Sequence, residues 1–398
     1  MPAIAICSIP PPTTSKASLK ANICLFKYFR PLRICPPHHP LNHSNENTLM
    51  STAYAFLQGL YPPTSSDIEV LSNGTRQPAP LNGYQYVVVN GLSANAPETI
   101  WLKGDENCPV ATKSMHRYSQ STEFKDIQNS SADFYQSLKN VLDPVYTDSQ
   151  IGYQNAYGIF DYLNCESIQN NSSIVTPHDL DQLRVLADQH EFALSYTPHS
   201  RDRSIGGMSF IGALIARLNE TAFDPSRKSK LTYFAGSYDT FLAVFGLLGL
   251  SNLNQNFIGL PQYASMMSFE LLAQDTSDLV VRFNFRNGTV EEMYSYPLFG
   301  KDEIDLPWTE FLELTKFAIR DAKGWCNACG LSTGFCAEYT SLDFTKRDPV
   351  SLVAAGIMGA ACMFVVLGIL SVGPRIIRQR RRNAVKLSSI DQAEKTIS

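Results

Sequence analysis

The run Leu231 to Leu250, LTYFAGSYDTFLAVFGLLGL, decides how the rest of the chain is read. Its first part is apolar with Thr and Tyr, as in a buried strand, and stops at Gly236. A short polar turn, Ser237-Tyr238-Asp239-Thr240, leads into a helix-like run from Phe241 to Leu250. A strand that feeds a turn and then a helix is where α/β proteins place ligands, at the carboxyl end of the strand. The chemistry of this turn is therefore the first question to ask of the chain.

The chain around it has 398 residues, 44% hydrophobic and 11% aromatic, enough to build one large core or two ordinary ones. Its formal net charge is −4. Nucleic-acid binding needs a clustered basic face, and the one dense basic run sits at the far C-terminus, so no nucleic-acid partner is expected. Walker-type loops, G-x-S-x-G elbows and H-E-x-x-H pairs are all missing from the sequence.

Residues 1–50 are rich in Pro, Lys and Arg and carry no acidic residue before Glu46. Ala3 to Cys7 is too short for the apolar core of a secretion signal and is followed by Pro10 to Pro12. The pair in CPPHHP, Cys35 to Pro40, lies among prolines, and a disordered leader or an imperfect gene model is the reading of this segment. From 51 to 345 the pattern is globular α/β. YQYVVV, Tyr84 to Val89, reads as a buried strand ended by Asn90-Gly91. Helical spacing is expected over Ser131 to Val141, Asp179 to Tyr196, Ser209 to Leu218 and Trp308 to Ile319. LVVRFNF, Leu279 to Phe285, reads as a strand, with Asn287-Gly288 as a turn signal after it.

Val350 to Gly373 is apolar and uncharged over about 24 residues, long enough to span a bilayer core of about 30 Å. Pro374 and five arginines from Arg375 to Arg382 follow directly. Arginine on one flank fits the positive-inside rule, which predicts a single-pass type I protein with a basic cytosolic tail over 374–398. Its ectodomain would be extracellular or lumenal, in the secretory pathway or at the plasma membrane. Sequons at Asn73, Asn129, Asn171, Asn219 and Asn287 all precede the span and agree with that topology, although Asn287 also suits a turn.

Nine cysteines are present. The cluster WCNACGLSTGFC, Trp325 to Cys336, reads either as a metal knuckle or as a disulfide cluster. A closed zinc site needs four ligands, and no further His or Cys lies nearby. With an exported ectodomain, disulfides among Cys108, Cys326, Cys329 and Cys336 are expected, with Cys165 left over, and connectivity stays open. Neither a metal nor a cofactor is expected.

Three consecutive blocks resemble the histidine acid phosphatases, the branch of the histidine phosphatase superfamily that includes fungal phytases. GSYDTFLAVFGLLGL, from Gly236, is similar to that family's S-x-H-D-T-T-L block and its helix. LPQYASMMSFEL, Leu260 to Leu271, and LVVRFNFRNGT, from Leu279, resemble the two blocks that follow, in order and spacing. RVLADQHEFAL, Arg184 to Leu194, is similar to the family's R-V-x-x-S-A-x-x-F helix. GDENCP, Gly104 to Pro109, and the late cysteines resemble a divergent fungal subgroup.

The resemblance implies the histidine acid phosphatase fold: a large α/β domain with a mixed sheet and a helical insertion over the site. It implies phosphomonoester hydrolysis at acidic pH through a phosphohistidine, formed on an R-H-G-x-R-x-P motif after the first strand. On the strand Tyr84 to Val89 that motif would fall on Asn90, in place of the nucleophilic histidine, with Gly91 at the glycine and Ser93 near the next arginine. An amide nitrogen is not a nucleophile of the needed kind. No Arg, Lys or His lies between Arg76 and Lys103, so a small shift of alignment restores nothing. In the second motif Asp239 matches the proton donor, and Tyr238 replaces the phosphate-binding histidine. Asp239 also suits a helix N-cap. His178 stands near the place of a further phosphate ligand, Arg201 and Arg203 are candidates to face the site, and His190 and His199 are expected at the surface.

The expectation is thus a membrane-anchored, catalytically inactive member whose cleft takes a phosphorylated or glycan ligand. The alternative is an acid phosphomonoesterase with a non-standard site, which at least two Arg or Lys side chains converging on a pocket beside Asn90 and Tyr238 would favour.

Overall fold

The computed structural model describes residues 3–5, 18–27, 46–63, 68–78, 84–85, 87–91, 96–143, 145–170, 175–223, 231–273 and 278–341. The chain divides into two compact units, Met1–Cys336 and Ala337–Ser398. The first unit opens with strands β1 (Ala3–Ala5) and β2 (Ser18–Lys27) and helix α1 (Glu46–Leu60). A small hairpin of β3 (Ile68–Val70) and β4 (Arg76–Pro78) follows, and then the two-residue strand β5 (Asn90–Gly91). A helical stretch comes next: α2 (Ile100–Lys103), α3 (Pro109–Ser119), α4 (Thr122–Ser137), α5 (Lys139–Leu142), α6 (Ala156–Asn170), α7 (Pro177–Ser195) and α8 (Ile205–Phe223). It occupies the place of the expected helical insertion. Strand β6 (Leu231–Gly236), helix α9 (Tyr238–Leu247) and strands β7 (Met266–Ala273), β8 (Leu279–Arg286), β9 (Tyr294–Tyr296) and β10 (Asp305–Pro307) come next. Helices α10 (Trp308–Leu314) and α11 (Ala322–Cys329) close the unit. In the second unit the described helix is α12 (Ala337–Ser341).

The main sheet is mixed, in the order β10-β8-β7-β2-β6-β1-β5, with β9 also on β8. Only β2 and β6 pair in parallel; the other pairs are antiparallel. Every residue of β6 is buried, because helices cover both faces. Side chains alternate along a strand. On one face Leu231, Tyr233 and Ala235 meet Leu49, Ala53 and Leu57 of α1, with the Phe56 ring stacked 4.5 Å from Tyr233. On the other face Phe234 meets Phe210 of α8, their rings 5.8 Å apart, within the principal core. Helix α9 lies in that core and is buried from Thr240 to Leu247, which is why its sequence is apolar all round. Phe245 packs edge-on against Phe257 at 4.9 Å and Phe285 at 5.1 Å.

The leader departs from expectation. It supplies two strands, and β2 sits between β6 and β7 in the middle of the sheet. Its sequence, SLKANICLFK, has an apolar alternation interrupted by Lys20 and Asn22, and the ladder with β7 shifts register between Leu19 and Ala21. Pairing on both sides supplies what the local pattern lacks. The expected strand Tyr84 to Val89 also changes. The ladder holds only Asn90 and Gly91, while Val87 and Val89 pack under α1 and Val88 faces solvent. Asn287-Gly288 does not make a tight hairpin, since Phe285 pairs with Tyr294 across a longer loop. The Asn287 side chain instead accepts from the Gln262 amide at 2.8 Å and the Ser265 hydroxyl at 3.1 Å. The expected helix Ser131 to Val141 is the end of α4 and the whole of α5, and that over Trp308 to Ile319 stops at Leu314, where the Thr315 hydroxyl bonds the Phe311 carbonyl.

Two disulfides form from the four expected cysteines, Cys108–Cys329 and Cys326–Cys336. Cys165 is in neither; its sulfur lies 4.0 Å from the Tyr263 hydroxyl. Among the described residues there is no His, Cys, Asp and Glu cluster fit for a metal, and no helix is long and apolar enough to cross a membrane. The expected span, Val350 to Gly373, and the tail after it lie outside the described residues, as do Ser93 and Asn171. Asn73, Asn129 and Asn219 are exposed.

Candidate functional site

The turn after β6 opens onto a cavity of about 410 Å³. Ser237, Tyr238, Asp239 and Thr240 form one side of it, and Ala243 lies one turn further along α9. The other walls come from the helical stretch: Lys103 at the end of α2 and Asp105 just after it, Met115 on α3, Tyr157 and Asp161 on α6, Glu191, Leu194 and Ser195 on α7, Arg203 just before α8 and Gly206 in its first turn. This matches the general placement of ligands at strand carboxyl ends.

Asp239 is not the helix cap. Ser237 holds the N-cap position, without a capping bond from its side chain. Asp239 lies in the first turn, where the helix dipole favours a carboxylate. Its Oδ2 stands 3.6 Å from Lys103 Nζ, and its Oδ1 is buried with no hydrogen-bond partner among the described residues. Lys103 also reaches Glu106 at 3.1 Å. Burial works to lower the Lys103 pKa, but Asp239, Asp105 and Glu106 more than offset it, so the ammonium is held charged beyond its usual range. Asp105 has the opposite balance. Burial, with Asp239 adding to it, pushes its carboxyl up to about 7 against the opposing pull of Lys103.

Tyr238, which the resemblance sets in place of a phosphate-binding histidine, is committed to other contacts. Its hydroxyl donates to Glu191 Oε2 at 2.9 Å, and its ring lies 4.5 Å from Tyr157. Glu191 Oε1 is 2.7 Å from His190 Nδ1. His190 is therefore buried and bonded, contrary to the expected surface position, whereas His199 is exposed. Arg203 faces the cavity, with Nη1 on the Ala193 carbonyl, its guanidinium 5.3 Å over the Tyr118 ring, and Nε buried without a partner. Burial lowers its pKa from the usual arginine range. Arg201 stacks on Phe317 instead, at 4.8 Å. Asp161 accepts from the Tyr263 hydroxyl, which ties the PQYAS block to the cavity wall.

The other candidates are not brought to this cavity. Asn90 pairs with Ile4, and Ile4 with Phe234, so β1 stands between β5 and β6. Asn90 and Gly91 are thus two strands from β6 and level with its middle, not its end. The parallel neighbour of β6 is β2, whose Lys27 pairs with Gly236. The sequence after it, Tyr28-Phe29-Arg30-Pro31-Leu32-Arg33, has no R-H-G either. His178 is exposed in the first turn of α7 and absent from the lining. Glu270, on β7, lies outside the cavity; burial raises its pKa, and a bond with Asn284 and the charge of Arg282 oppose that. Arg184 is structural, its Nε 2.8 Å from Asp188 Oδ1.

Sequence reasoning passed over Lys103, Asp105, Asp161 and Glu191 as site residues. The one local signal for them was that Lys103 and Asp105 flank the start of GDENCP. The described lining thus sets two cations, Lys103 and Arg203, against four carboxylates, Asp105, Asp161, Glu191 and Asp239, and includes no histidine.

A comparison with curated proteins gives no significant match. Among solved structures the chain is similar to the phytase of Citrobacter braakii, at 12% identity and a TM-score of 0.48, over 79% of this chain and 100% of that one. It is also similar to the multiple inositol polyphosphate phosphatase of Bifidobacterium longum in complex with inositol hexasulfate, at 10% identity and a TM-score of 0.34, over 61% of this chain and 59% of that one. The family model for the histidine phosphatase superfamily, branch 2, matches residues 44–286, more than half of the chain. The chain belongs to the histidine phosphatase superfamily, branch 2.

Proposed function

We propose that this protein is a branch-2 histidine phosphatase that binds a ligand in the cavity at Tyr238 and Asp239 without hydrolysing phosphomonoesters through a phosphohistidine. The observation that supports this is the charge of the cavity. Phosphoryl transfer relies on positioned positive charge around the equatorial oxygens. Here Lys103 is already engaged by Asp239 and Glu106, and carboxylates outnumber cations on the walls. A phosphate dianion meets net repulsion in such a place. A neutral or cationic ligand, such as a glycan hydroxyl cluster or an amine, meets acceptors and the Tyr157–Tyr238 ring pair.

The test is an assay of the purified chain on p-nitrophenyl phosphate from pH 3 to 7. No turnover above background is expected. Turnover abolished by Asp239→Asn would overturn the proposal and establish the second reading, an acid phosphomonoesterase with a non-standard site. One observation favours that reading: Lys103 and Arg203 both reach the cavity beside Tyr238.

The apolar run Val350 to Gly373 and the arginines after it support a type I membrane anchor, with glycans on the ectodomain at exposed sequons such as Asn73, Asn129 and Asn219. Resistance to alkaline extraction, lost on truncation before Val350, tests the anchor. A mobility shift on deglycosylation tests the glycans. Release of the intact chain by alkali, or no shift, rejects the respective claim.

A further inference from the structure

We propose that Trp325 is a positioning residue for the cavity: its indole N–H, bonded to the Gly104 carbonyl, fixes the segment that carries Lys103 and Asp105 against Asp239. The two residues are 221 positions apart, and the bond is 2.7 Å long and buried. Gly104 is the single residue between the two charged groups, so the orientation of its peptide sets where both point. The segment has no slack. A Cβ at Gly104 would meet Ser209 Oγ at 2.0 Å, and a Cβ at Gly206 would meet Asp105 Oδ1 at 2.8 Å.

Trp325 is itself held from behind. Its ring stacks on Phe335 at 5.5 Å, and Phe335 precedes Cys336, which is bonded to Cys326 next to Trp325. The second disulfide, Cys108–Cys329, anchors α11 to the far end of the same GDENC segment. Between that anchor and Asp105 the chain turns through Asn107, whose φ is +57°. The disulfide therefore fixes the end of the segment, and the indole bond fixes its start, beside the charges. Without the bond the buried carbonyl is unpaired, and the peptide gains a reason to rotate toward another donor.

This inference does not rest on the proposed ligand, and its readout needs none. The experiment follows carboxyl carbons by NMR in the full chain as pH is varied. In the wild type the Asp105 midpoint is expected well above the usual carboxylate range, because burial and Asp239 disfavour its charge. Trp325→Phe keeps the ring but removes the donor, and it should move that midpoint down by about one unit or more, as Asp105 leaves the buried pair. Phe335→Leu keeps the donor and should shift it by less. An Asp105 midpoint unchanged in folded Trp325→Phe, whatever its melting temperature, would overturn the proposal. A second measurement needs no variant: the Trp325 indole nitrogen resonance in the wild type should move with the same midpoint as Asp105. An indole signal flat from pH 5 to 9 would overturn it equally.

Discussion

The ends of β6 and β5 were both candidates for one phosphate site. They differ in what surrounds them. β6 is paired on both sides and covered on both faces, so the turn after it is held by α9, α2 and the helical stretch and opens into a cavity. β5 is two residues long, is the last strand on its side of the sheet, and contacts β6 only through β1. A polar residue gains a defined environment from the elements that enclose it, and among the described residues these gather at the end of β6.

The largest test of that contrast is Phe245→Ala, in the helix that begins at the turn. Phe245 is fully buried among Phe257, Phe283 and Phe285. A loss of about 3–5 kcal/mol is expected in chemical denaturation. A loss below about 1 kcal/mol would mean that α9 does not frame the site. Next is Lys103→Met. It leaves Asp239 and Asp105 facing each other without their cation, and a cost of about 2–4 kcal/mol at pH 8 is expected, shrinking at pH 5 as Asp105 takes up a proton. An equal cost at both pH values would separate Asp105 from the pair.

Asp105→Asn acts in the opposite sense. The folded carboxyl titrates near 7 and the unfolded one near the ordinary 3.8, so the native state binds the extra proton. The Asp105 contribution to stability is therefore fully present below about pH 4, is lost as pH rises toward about 7, and changes little above that. The variant should lack that decline and be more stable than wild type by about 1–3 kcal/mol at pH 8, with little difference at pH 4. Denaturation curves at both pH values check this. The smallest effect belongs to the other strand: Asn90→Ala should leave the Asp105 titration unshifted, and a shift would place β5 in contact with the site after all.

Much of the fold was legible. The apolar runs of β6 and α9 and the order of the blocks to Arg286 each carry a local pattern, and the four disulfide cysteines stood apart from the rest. The long helix Pro177–Ser195 was also readable, from Asp179 on. The leader was not, because β2 is a strand by virtue of its two neighbours and not by composition. The site was half legible. Tyr238 and Asp239 lie on one short turn and could be seen together, whereas Lys103, Asp161, Glu191 and Arg203 come from four separate helical segments and meet only when those pack.

The sequence by itself determined that a strand, turn and helix meet at Gly236 to Asp239, and that no histidine stands there. Both follow from residue identity and short-range spacing. Only the tertiary structure decided what Asp239 does. A cap needs nothing beyond its own helix, but the ion pair with Lys103 needs a segment 136 positions earlier, set in place by Trp325 and the Cys108–Cys329 disulfide. Charge at a site is a sum over whatever packing brings near, and no window of sequence contains that sum.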